Sequence, residues 1–344
     1  MRKIKQARFM EVCGTHTFAI SKFALKHFYS QKIDFLSGPG CPVCVTSQED
    51  IDYVIELAKN NNNIIVSFGD MMRVPSSDNS VSLDKLNQNN IKTVYSVLDI
   101  LSIAVKNPGK NVIFLAVGFE TTAPLIAGII LDAKKRKIKN FYIFSMLKTI
   151  VPALDLLLLK KQIKVDGFIL PGHVCTVIGY KPFEFIVKKY KIPCIVAGFE
   201  FDNLKKAIDL LHGLYVNKEV KLLNCYSSAV KENGNTKALK TVYDVFTVNN
   251  VKWRGLGDID NSGLKLNQKY SGFDVLNKFP KKSAVSKKNI SKCICGKLFV
   301  GKYKPNQCPS FAKECTPLTP VGPCMVSSEG VCASYYKYGE INAK

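Results

Sequence analysis

The sequence lacks any apolar run long enough to cross a membrane. Its longest such runs, residues 111–117 and 154–159, fall well short of the roughly 20 residues that a transmembrane helix needs. The amino terminus, MRKIKQARFMEVCG, carries positive charge but has no apolar segment behind it, so no secretory signal is predicted. We therefore expect the protein to stay in the cytoplasm.

Arginine is scarce, although the chain carries a formal net charge of +22. The excess is nearly all lysine spread along the sequence, whereas bidentate contacts to bases and phosphates favour arginine. The charge therefore indicates a compositional bias, and no nucleic acid partner is expected. The P-loop pattern GxxxxGK followed by Ser or Thr is also missing, so a nucleotide site of that kind is not expected.

Alternating strand and helix signals predict an α/β fold. Apolar, β-branched runs are separated by segments with helical spacing, such as 49–59 and 204–212. This alternation is typical of parallel sheets joined by crossover helices. The runs with strand character are 64–68, 92–97, 112–117, 141–146, 167–170 and 194–197.

The length and an internal echo predict several domains. A chain of 344 residues is too long for one typical core. DFLSGPG at 34–40 precedes a predicted helix and a strand ending near 70, and DGFILPG at 166–172 precedes a predicted helix and a strand ending near 200. We predict two similar parallel-sheet α/β domains, 1–117 and 118–228, although any strand, turn, helix and strand unit would give a comparable echo.

Six of the twelve cysteines lie in the last fifty or so residues. Prolines between them favour loops, so residues 229–344 are predicted to form a linker helix and a small loop-rich domain that needs a stabilising cross-link. In a reducing compartment the expected cross-link is a metal centre, and four thiolates at varied spacings can hold an iron–sulfur cluster. Zinc binding and simple burial stay open on spacing alone. The six are Cys293, Cys295, Cys308, Cys315, Cys324 and Cys332.

Two further cysteines stand in the sequence CPVC, directly after a Gly-Pro-Gly corner. At the start of a helix such a pair has a lowered thiol pKa and exchanges readily between thiol and disulfide. Cys41 and Cys44 are therefore predicted to act as a redox dithiol. Transient metal coordination and inert burial are the alternatives.

Five long and unusual motifs are spread over the chain: EVCGTHT at 11–17, SGPGCPVC at 37–44, GFETTAP at 118–124, PGHV at 171–174 and GPCMVSSEG at 322–330. Together they resemble the HypD family of [NiFe]-hydrogenase maturation factors, from residue 11 to about 336. The resemblance implies two similar α/β domains and a carboxy-terminal iron–sulfur domain.

The resemblance also implies a scaffold on which the Fe(CN)₂CO unit of the hydrogenase is assembled. Family members share the iron with the amino-terminal cysteine of a HypC-type partner and receive cyanide from a HypE-type partner. Cys13 matches the family's iron-binding cysteine, and a thiolate is a soft ligand suited to such iron. His16 would orient the site or hydrogen-bond a cyanide nitrogen, or else make an ordinary cap contact. Cys41 and Cys44 would lie beside Cys13, where they can also ligate the iron.

In the last domain the resemblance assigns four thiols to a [4Fe-4S] cluster: Cys293, Cys308, Cys315 and Cys332. Cys295 and Cys324 would then form a second dithiol, in an arrangement similar to ferredoxin:thioredoxin reductase. The hypothesis that follows is an electron relay from the cluster through this dithiol to Cys41 and Cys44 and on to the iron. The chain would be a cofactor-assembly scaffold with redox activity, and its electron donor is not identified by the sequence.

Other polar residues follow strand ends, where the ligand sites of α/β proteins gather. Glu120 and His173 are candidates for lining a cleft between the domains. Glu120 can instead cap the next helix, and His173 can be an ordinary turn residue. Cys175, Cys194 and Cys225 lack partners in the motifs and are predicted to be core thiols.

Two other classes of function compete with the scaffold. A standalone iron–sulfur disulfide reductase would use the same dithiols and cluster but would not need Cys13. A zinc-stabilised, nucleic-acid-binding protein would explain the positive charge. Activity that survives loss of Cys13 would favour the first, and zinc without sulfide would favour the second.

Overall fold

Eleven strands in three sheets form the framework of the residues that the structure describes. The computed structural model describes residues 6–86, 89–281 and 292–338. Two of the sheets are parallel and the third is an antiparallel hairpin. The strands are β1 (Ala7–Glu11), β2 (Ile33–Ser37), β3 (Asn63–Ser67), β4 (Ile91–Thr93), β5 (Asn111–Gly118), β6 (Phe141–Leu147), β7 (Gly167–Pro171), β8 (Cys194–Ala197), β9 (Leu222–Asn224), β10 (Phe246–Trp253) and β11 (Gly257–Leu266).

Helices cover the faces of the sheets, and none in the described ranges has the length and apolarity that a membrane crossing requires. The longest, α11, buries Leu204, Ala207, Ile208 and Leu211, whose spacing forms one apolar face. The α-helices are α1 (Gly14–Lys22), α2 (Leu25–Phe28), α3 (Pro42–Val45), α4 (Gln48–Ala58), α5 (Gly69–Met72), α6 (Leu98–Lys106), α7 (Ala123–Lys135), α8 (Ile150–Leu159), α9 (Gly172–Ile178), α10 (Glu184–Tyr190), α11 (Phe201–Val216), α12 (Thr236–Val245), α13 (Val275–Lys278), α14 (Cys295–Phe299), α15 (Pro323–Val326) and α16 (Val331–Lys337).

The first sheet has the strand order β2-β1-β7-β8-β9, with all strands parallel. Its central strand, β1, pairs with β2 on one side and with β7 on the other. Phe9 thus lies opposite Phe35 in β2 and Gly167 in β7. The carboxyl ends of β1, β2 and β7 therefore meet at one edge of this sheet.

The second sheet has the order β4-β3-β5-β6 and is also parallel. Its strand β5, NVIFLAVG, is buried from its second residue onward. Such a continuous apolar strand is typical of a parallel sheet that is covered on both faces. These two sheets confirm the predicted α/β fold class.

Most of the predicted strands are confirmed. The strands β3, β5, β6, β7 and β8 lie where the apolar runs predict them. The run at 92–97 is wrong in extent, because β4 ends at Thr93 and the following residues enter a turn before α6. Long buried strands carry a strong signal of composition, whereas a three-residue edge strand does not.

The sheets do not follow the predicted division at residues 117 and 118. That division falls at the end of β5, whose neighbour β6 belongs to the same sheet, while β1 and β2 pair with the later strand β7. Both Pro-Gly corners of the internal echo end strands of the first sheet, but the strand after the first corner, β3, lies in the second sheet. The similarity between the two segments reflects only a short strand, turn and helix unit. It carries no information about which distant strands pair in a sheet.

The region predicted to form a linker helix and a loop-rich domain, 229–344, also contains a β-hairpin that the sequence analysis did not predict. The strands β10 and β11 pair in antiparallel register with a bulge near Asn249 and Val251. Trp253 is fully buried and donates from Nε1 to Ser262 Oγ at 2.8 Å. Thr149 N donates to Ser262 O at 2.9 Å, which joins the hairpin to the segment after β6. The sequence did not predict these strands because polar, mostly exposed residues interrupt the apolar residues of β10, so the strand lacks a continuous apolar run.

The described carboxy-terminal residues, 292–338, consist of loops and short helices, as predicted. They pack against the first helix through α16 and against α3 through α15. Ser327 Oγ donates to Asp70 Oδ2 at 2.7 Å, and Arg8 donates from a guanidinium nitrogen to Gly301 O at 3.1 Å. This segment is therefore held against both sheets near the ends of their strands.

Candidate functional site

The motifs that contain Cys13 and Cys41 are brought into contact at the edge of the first sheet. Cys13 follows β1 and Cys41 follows β2, which is its parallel neighbour. Gly14 N donates to Gly40 O at 2.9 Å, and a Cβ added at Gly40 would lie only 2.4 Å from Cys13 N. Gly40 thus permits a close backbone approach that any larger residue would block.

Cys41 and Cys44 form a disulfide with a Cα–Cα distance of 5.2 Å. The pair spans the start of the one-turn helix α3, where Pro42 takes the first position. Cys44 N donates to Cys41 Sγ at 3.2 Å, and both residues are buried. The structure therefore contains the oxidised form of the predicted dithiol, next to the segment that carries Cys13.

The thiol of Cys13 is buried and uncharged at neutral pH. Burial raises its pKa to about 12, with a further contribution from the charge of Glu329, while the backbone N–H groups of His16 and Thr15 oppose the rise. A metal ion that binds this sulfur must therefore displace a proton. The surrounding N–H groups are then already placed to stabilise the thiolate.

Glu11 supports the turn that carries Cys13. One carboxylate oxygen accepts from Cys13 N at 3.1 Å and the other accepts from the hydroxyl of Thr17. Burial raises the pKa of Glu11 to about 7, although hydrogen bonds from Ser37, Thr17 and Cys13 oppose this. The sequence contains Glu11 within the first motif but gave no reason to assign it this role.

His16 and His173 both stack on the ring of Phe199. The ring centroids lie 4.6 Å and 3.8 Å from that of Phe199, with interplanar angles of 23° and 22°. The two histidines come from α1 and α9, which follow the neighbouring strands β1 and β7. The structure thus brings His173, predicted for a cleft, close to the Cys13 motif.

The hydrogen-bond partner of His16 decides its tautomer. Nε2 lies 3.0 Å from Gly198 O, and because a carbonyl only accepts, Nε2 carries the proton. Burial lowers the pKa of His16 to about 4, so the ring is neutral and Nδ1 holds a lone pair. Nδ1 is buried and has no partner among the described residues. In this tautomer Nδ1 can accept a hydrogen bond or bind a metal. Donation to a cyanide nitrogen, one of the roles predicted for His16, would have to come from Nε2, which is bonded to Gly198 O.

Glu120 does not cap the helix that follows it. Its Oε1 accepts from Ile150 N at 2.9 Å, at the first residue of α8, while Oε2 is buried without a partner in the described residues. Burial raises the pKa of Glu120 to about 7. Burial also raises the pKa of Cys175 well above its usual range, and the charges of Glu120 and Cys13 raise it further. Glu120 and Cys13 are therefore both near enough to the Cys175 thiol to act on it electrostatically.

The three cysteines predicted to be core thiols differ in exposure. Cys175 and Cys194 are buried, as predicted, but Cys225 is only partly buried. Cys194 Sγ contacts Ile192 O at 3.5 Å. Of the three, Cys175 is the thiol on which Cys13 acts electrostatically. Cys175 directly follows the PGHV motif, and this position is the sequence feature that could have identified it as a site residue.

All six carboxy-terminal cysteines line a single cavity. Thiol–thiol hydrogen bonds join Cys293 to Cys295, Cys295 to Cys324, and Cys324 to Cys332. Cys295 and Cys324, predicted as the second dithiol, are therefore direct neighbours. The remaining wall includes the apolar residues Leu298, Phe311, Val321 and Met325. The six thiols on the cavity are Cys293, Cys295, Cys308, Cys315, Cys324 and Cys332.

The donor set of this cavity fits a sulfur-ligated metal group. A Cβ at Gly322 would lie 2.4 Å from Cys293 Sγ, so glycine leaves room for that sulfur. Val321 N donates to Cys315 Sγ at 3.3 Å, a contact that stabilises anionic sulfur. As the side chains stand, no group of three or more His, Cys, Asp or Glu in the described ranges is arranged to hold a metal ion. Thiols of this number and softness suit an iron–sulfur cluster.

Glu329 closes the Cys13 region from the carboxy-terminal side. Thr15 Oγ1 donates to Glu329 Oε1 at 2.9 Å, and a Cβ added at Gly14 would lie 2.4 Å from Glu329 Cβ. Burial raises the pKa of Glu329, and the bond from Thr15 opposes that rise. Sequence reasoning missed Glu329 as a site residue, although it lies in the last of the five motifs.

Comparisons with known proteins match nearly the whole chain to one family. A family model described as "HypD: Hydrogenase formation hypA family" matches residues 1–339. The chain is 40% identical over 333 residues to hydrogenase maturation factor HypD of Escherichia coli, covering 96% of this chain and 89% of the relative. It is 39% identical over 339 residues to a putative hydrogenase expression/formation protein of Methanocaldococcus jannaschii, covering 98% and 94%. The HypD of Cupriavidus necator is 38% identical, over 96% and 89% of the two chains.

Proposed function

The chain belongs to the HypD family of hydrogenase maturation factors, and from this premise we propose that it is the scaffold on which the Fe(CN)₂CO unit of a [NiFe]-hydrogenase is assembled. The iron is the substrate of this assembly, and Cys13 is its ligand on this chain. The observation that supports the proposal most strongly is the contact between the Cys13 turn and the disulfide segment, through Gly14 N and Gly40 O at 2.9 Å.

Cys13 would bind the iron as a thiolate. Because burial raises the pKa of its thiol to about 12, iron binding releases one proton. The carboxylate of Glu11 accepts a hydrogen bond from Cys13 N, and the backbone N–H of His16 would stabilise the thiolate. The free Nδ1 of His16 is an acceptor buried in this region. Its lone pair suits a donor on a ligand or the metal itself.

The Cys41–Cys44 disulfide would act as the redox partner of this site. On reduction it takes up two electrons and two protons and becomes two thiols, and oxidation reverses this exchange. As thiols, Cys41 and Cys44 would also be available to ligate the iron. The close contact at Gly40 keeps both sulfurs on the segment that adjoins Cys13.

The six-thiol cavity would hold a [4Fe-4S] cluster, which when bound supplies single electrons. Cys295 and Cys324 would remain as a second dithiol, held by their mutual hydrogen bond. The four proposed ligands are Cys293, Cys308, Cys315 and Cys332.

The proposed partners are a HypC-type chaperone and a HypE-type cyanide donor. A HypC-type partner would place a second thiol on the iron held by Cys13. Cys13 is nearly buried beneath the segment that contains Glu329, so this segment must yield for a partner to reach the sulfur. A standalone disulfide reductase would need no such access to Cys13.

The test is the infrared spectrum of the chain purified without oxygen together with a HypC-type partner. Wild-type protein is expected to show bands of iron-bound cyanide and carbon monoxide, and Cys13→Ala is expected to lose them while keeping the iron and acid-labile sulfide of the cluster. Cys225→Ala, at a partly buried thiol outside the motifs, is the matched control and should behave as wild type. Cyanide and carbon monoxide bands that persist in Cys13→Ala would contradict the scaffold and favour the reductase.

A further inference from the structure

Arg254 lies at the tip of the β10–β11 hairpin and is bound to the segment that follows the disulfide. Its backbone N donates to Val45 O at 2.9 Å and its Nε donates to Thr46 O at 2.9 Å. One terminal guanidinium nitrogen, Nη1, donates to Gln48 Oε1 at 2.6 Å. The position of the guanidinium is therefore set by the residues directly after Cys44.

The same turn lies against the start of the cysteine-rich segment. A Cβ added at Gly255 would lie 2.4 Å from Gly296 Cα, and one added at Gly296 would lie 2.6 Å from Gly255 O. Gly255 also has a φ of +74°, a conformation that favours glycine. Gly296 directly follows Cys295, so the hairpin turn is wedged between the residues after Cys44 and the wall of the six-thiol cavity.

The guanidinium has one donor without a partner. Nη2 is buried and makes no hydrogen bond within the described residues. No carboxylate in residues 6–86, 89–281 or 292–338 forms an ion pair with Arg254. A buried cationic donor without an acceptor is unfavourable, so the site favours an anion beside it.

The cavity thiols adjoin this turn. Cys293 and Cys295 line the six-thiol cavity. Gly296, the residue after Cys295, packs against Gly255, the residue after Arg254. Thiolates, or a thiolate-ligated cluster, would therefore supply the missing negative partner.

We propose that Arg254 is the counter-charge of the six-thiol cavity, a positioning residue that stabilises added negative charge on the sulfur groups beside Cys293 and Cys295. The inference rests on the proposed function in so far as the cavity holds a [4Fe-4S] cluster. Uptake of one electron makes such a site more negative by one charge and breaks no bond. A fixed cation nearby makes this reduction more favourable.

The experiment is a redox titration of the reconstituted protein with dithionite, followed by electron paramagnetic resonance. Arg254→Gln is expected to lower the equilibrium constant for one-electron reduction about tenfold, a midpoint about 59 mV more negative. Arg254→Lys keeps the charge and should retain most of the wild-type potential. Lys252→Gln removes a positive charge from the same strand at an exposed position paired with Glu49, and should leave the potential unchanged.

An unchanged potential in Arg254→Gln would overturn the proposal, and so would an equal shift in Arg254→Lys, because that would assign the effect to the shape of the turn. Zinc affinity of the metal-free protein gives a second measurement that does not need the cluster. A zinc ion held by four thiolates leaves two negative charges, so Arg254→Gln should weaken zinc binding about tenfold relative to Lys252→Gln. Equal zinc affinities would also overturn the proposal. Wild-type protein that binds zinc but takes up no iron and sulfide would contradict the cluster in the proposed function, while the zinc comparison still decides the role of Arg254.

Discussion

Among single residues, Glu120 shows how burial can outweigh hydrogen bonding in setting a pKa. Backbone N–H groups of Glu120 itself and of Ile150 oppose the rise in its pKa, and no cation is among the causes of the shift. The pKa is raised to about 7 from an ordinary 4.5 because water is excluded from the charged form. A group with a raised pKa of this kind contributes stability below pH 4.5 and loses it as the pH rises through 7.

Glu120→Gln should therefore change the pH dependence of folding. Between pH 5 and pH 8 the wild-type free energy of unfolding should fall by about 2–3 kcal/mol more than that of the variant, because only the wild type must bury a carboxylate. Gln keeps an oxygen that can accept from Ile150 N, so the loss of that bond does not enter the comparison. Urea denaturation under reducing conditions at both pH values measures the difference. A gap between the two proteins that is the same at pH 5 and pH 8 would contradict the prediction.

Sequence motifs pointed to many residues of the site but not to their supports. Cys13, Cys41 and His16 all lie in recognisable motifs, and the structure brings the turns that carry Cys13 and Cys41 into contact. Glu329 also lies in a motif, but its bond to Thr15 spans a separation of 314 residues. A contact of that range depends on the complete fold, and no local pattern of charge or spacing predicts it.

Arg254 was hidden for a different physical reason. Its role depends on which guanidinium N–H groups are already hydrogen-bonded. Nε donates to Thr46 O and Nη1 donates to Gln48 Oε1, and both acceptors are about 200 residues away in the sequence. The sequence shows a lone arginine in a polar segment, which usually lies on the surface. Only the geometry of the turn shows that one donor is buried and has no partner in the part of the chain that the structure describes.

Among the elements, the turn between β2 and α3 lies against the backbone of Cys13 with no room for a side chain at Gly40. A side chain at Gly40 would meet Cys13 N at 2.4 Å and Cys13 Cα at 2.6 Å, both of them backbone atoms that cannot move aside by a rotamer change. In α7, by comparison, a Cβ at Gly128 would meet nothing within 4 Å.

Gly40→Ala should therefore destabilise the protein by at least about 2 kcal/mol, because it forces apart the two turns that carry Cys13 and Cys41. Gly128→Ala should stabilise it by about 0.5–1 kcal/mol, since alanine is the better helix former. Chemical denaturation of both variants measures the contrast. Equal stability of Gly40→Ala and wild type would show that the close approach is not required.

Elements with strong burial were predictable and elements held by backbone pairing were not. The residues of β5 are apolar along almost the whole strand and were assigned from sequence. The hairpin strand β10, FTVNNVKW, is buried mainly at its first and last residues. Its stability comes from pairing with β11 and from the buried Trp253, neither of which gives a periodic apolar pattern.

Across the whole molecule, each of the two parallel sheets contains strands from both sides of residue 117. The first sheet combines strands from 7–37 with strands from 167–224, and the second joins β5 to β6 across the position. The complete second sheet, together with α8, α12 and the hairpin, lies in residues 46–160 and 231–281.

Neither fragment 1–117 nor fragment 118–228 should show a cooperative thermal transition, because each lacks strands that its sheets need. Residues 46–160 joined through a Gly/Ser linker to 231–281 keep a full sheet and should unfold cooperatively. Circular dichroism during heating compares the three. A sharp transition in fragment 1–117 would mean that its strands form a sheet without β6 and β7, contrary to the pairing seen here.

The place of β1 at the middle of the first sheet also determines when the protein can fold during its synthesis. One edge of β1 pairs with β2 soon after the ribosome releases it, but its other partner, β7, follows roughly 150 residues later. At about 5–20 residues per second that interval lasts roughly 8–30 s. For this time an apolar strand has an open edge in the crowded cell, where it can pair with other chains. Synthesis of the nascent chain therefore includes a period in which chaperone protection matters most.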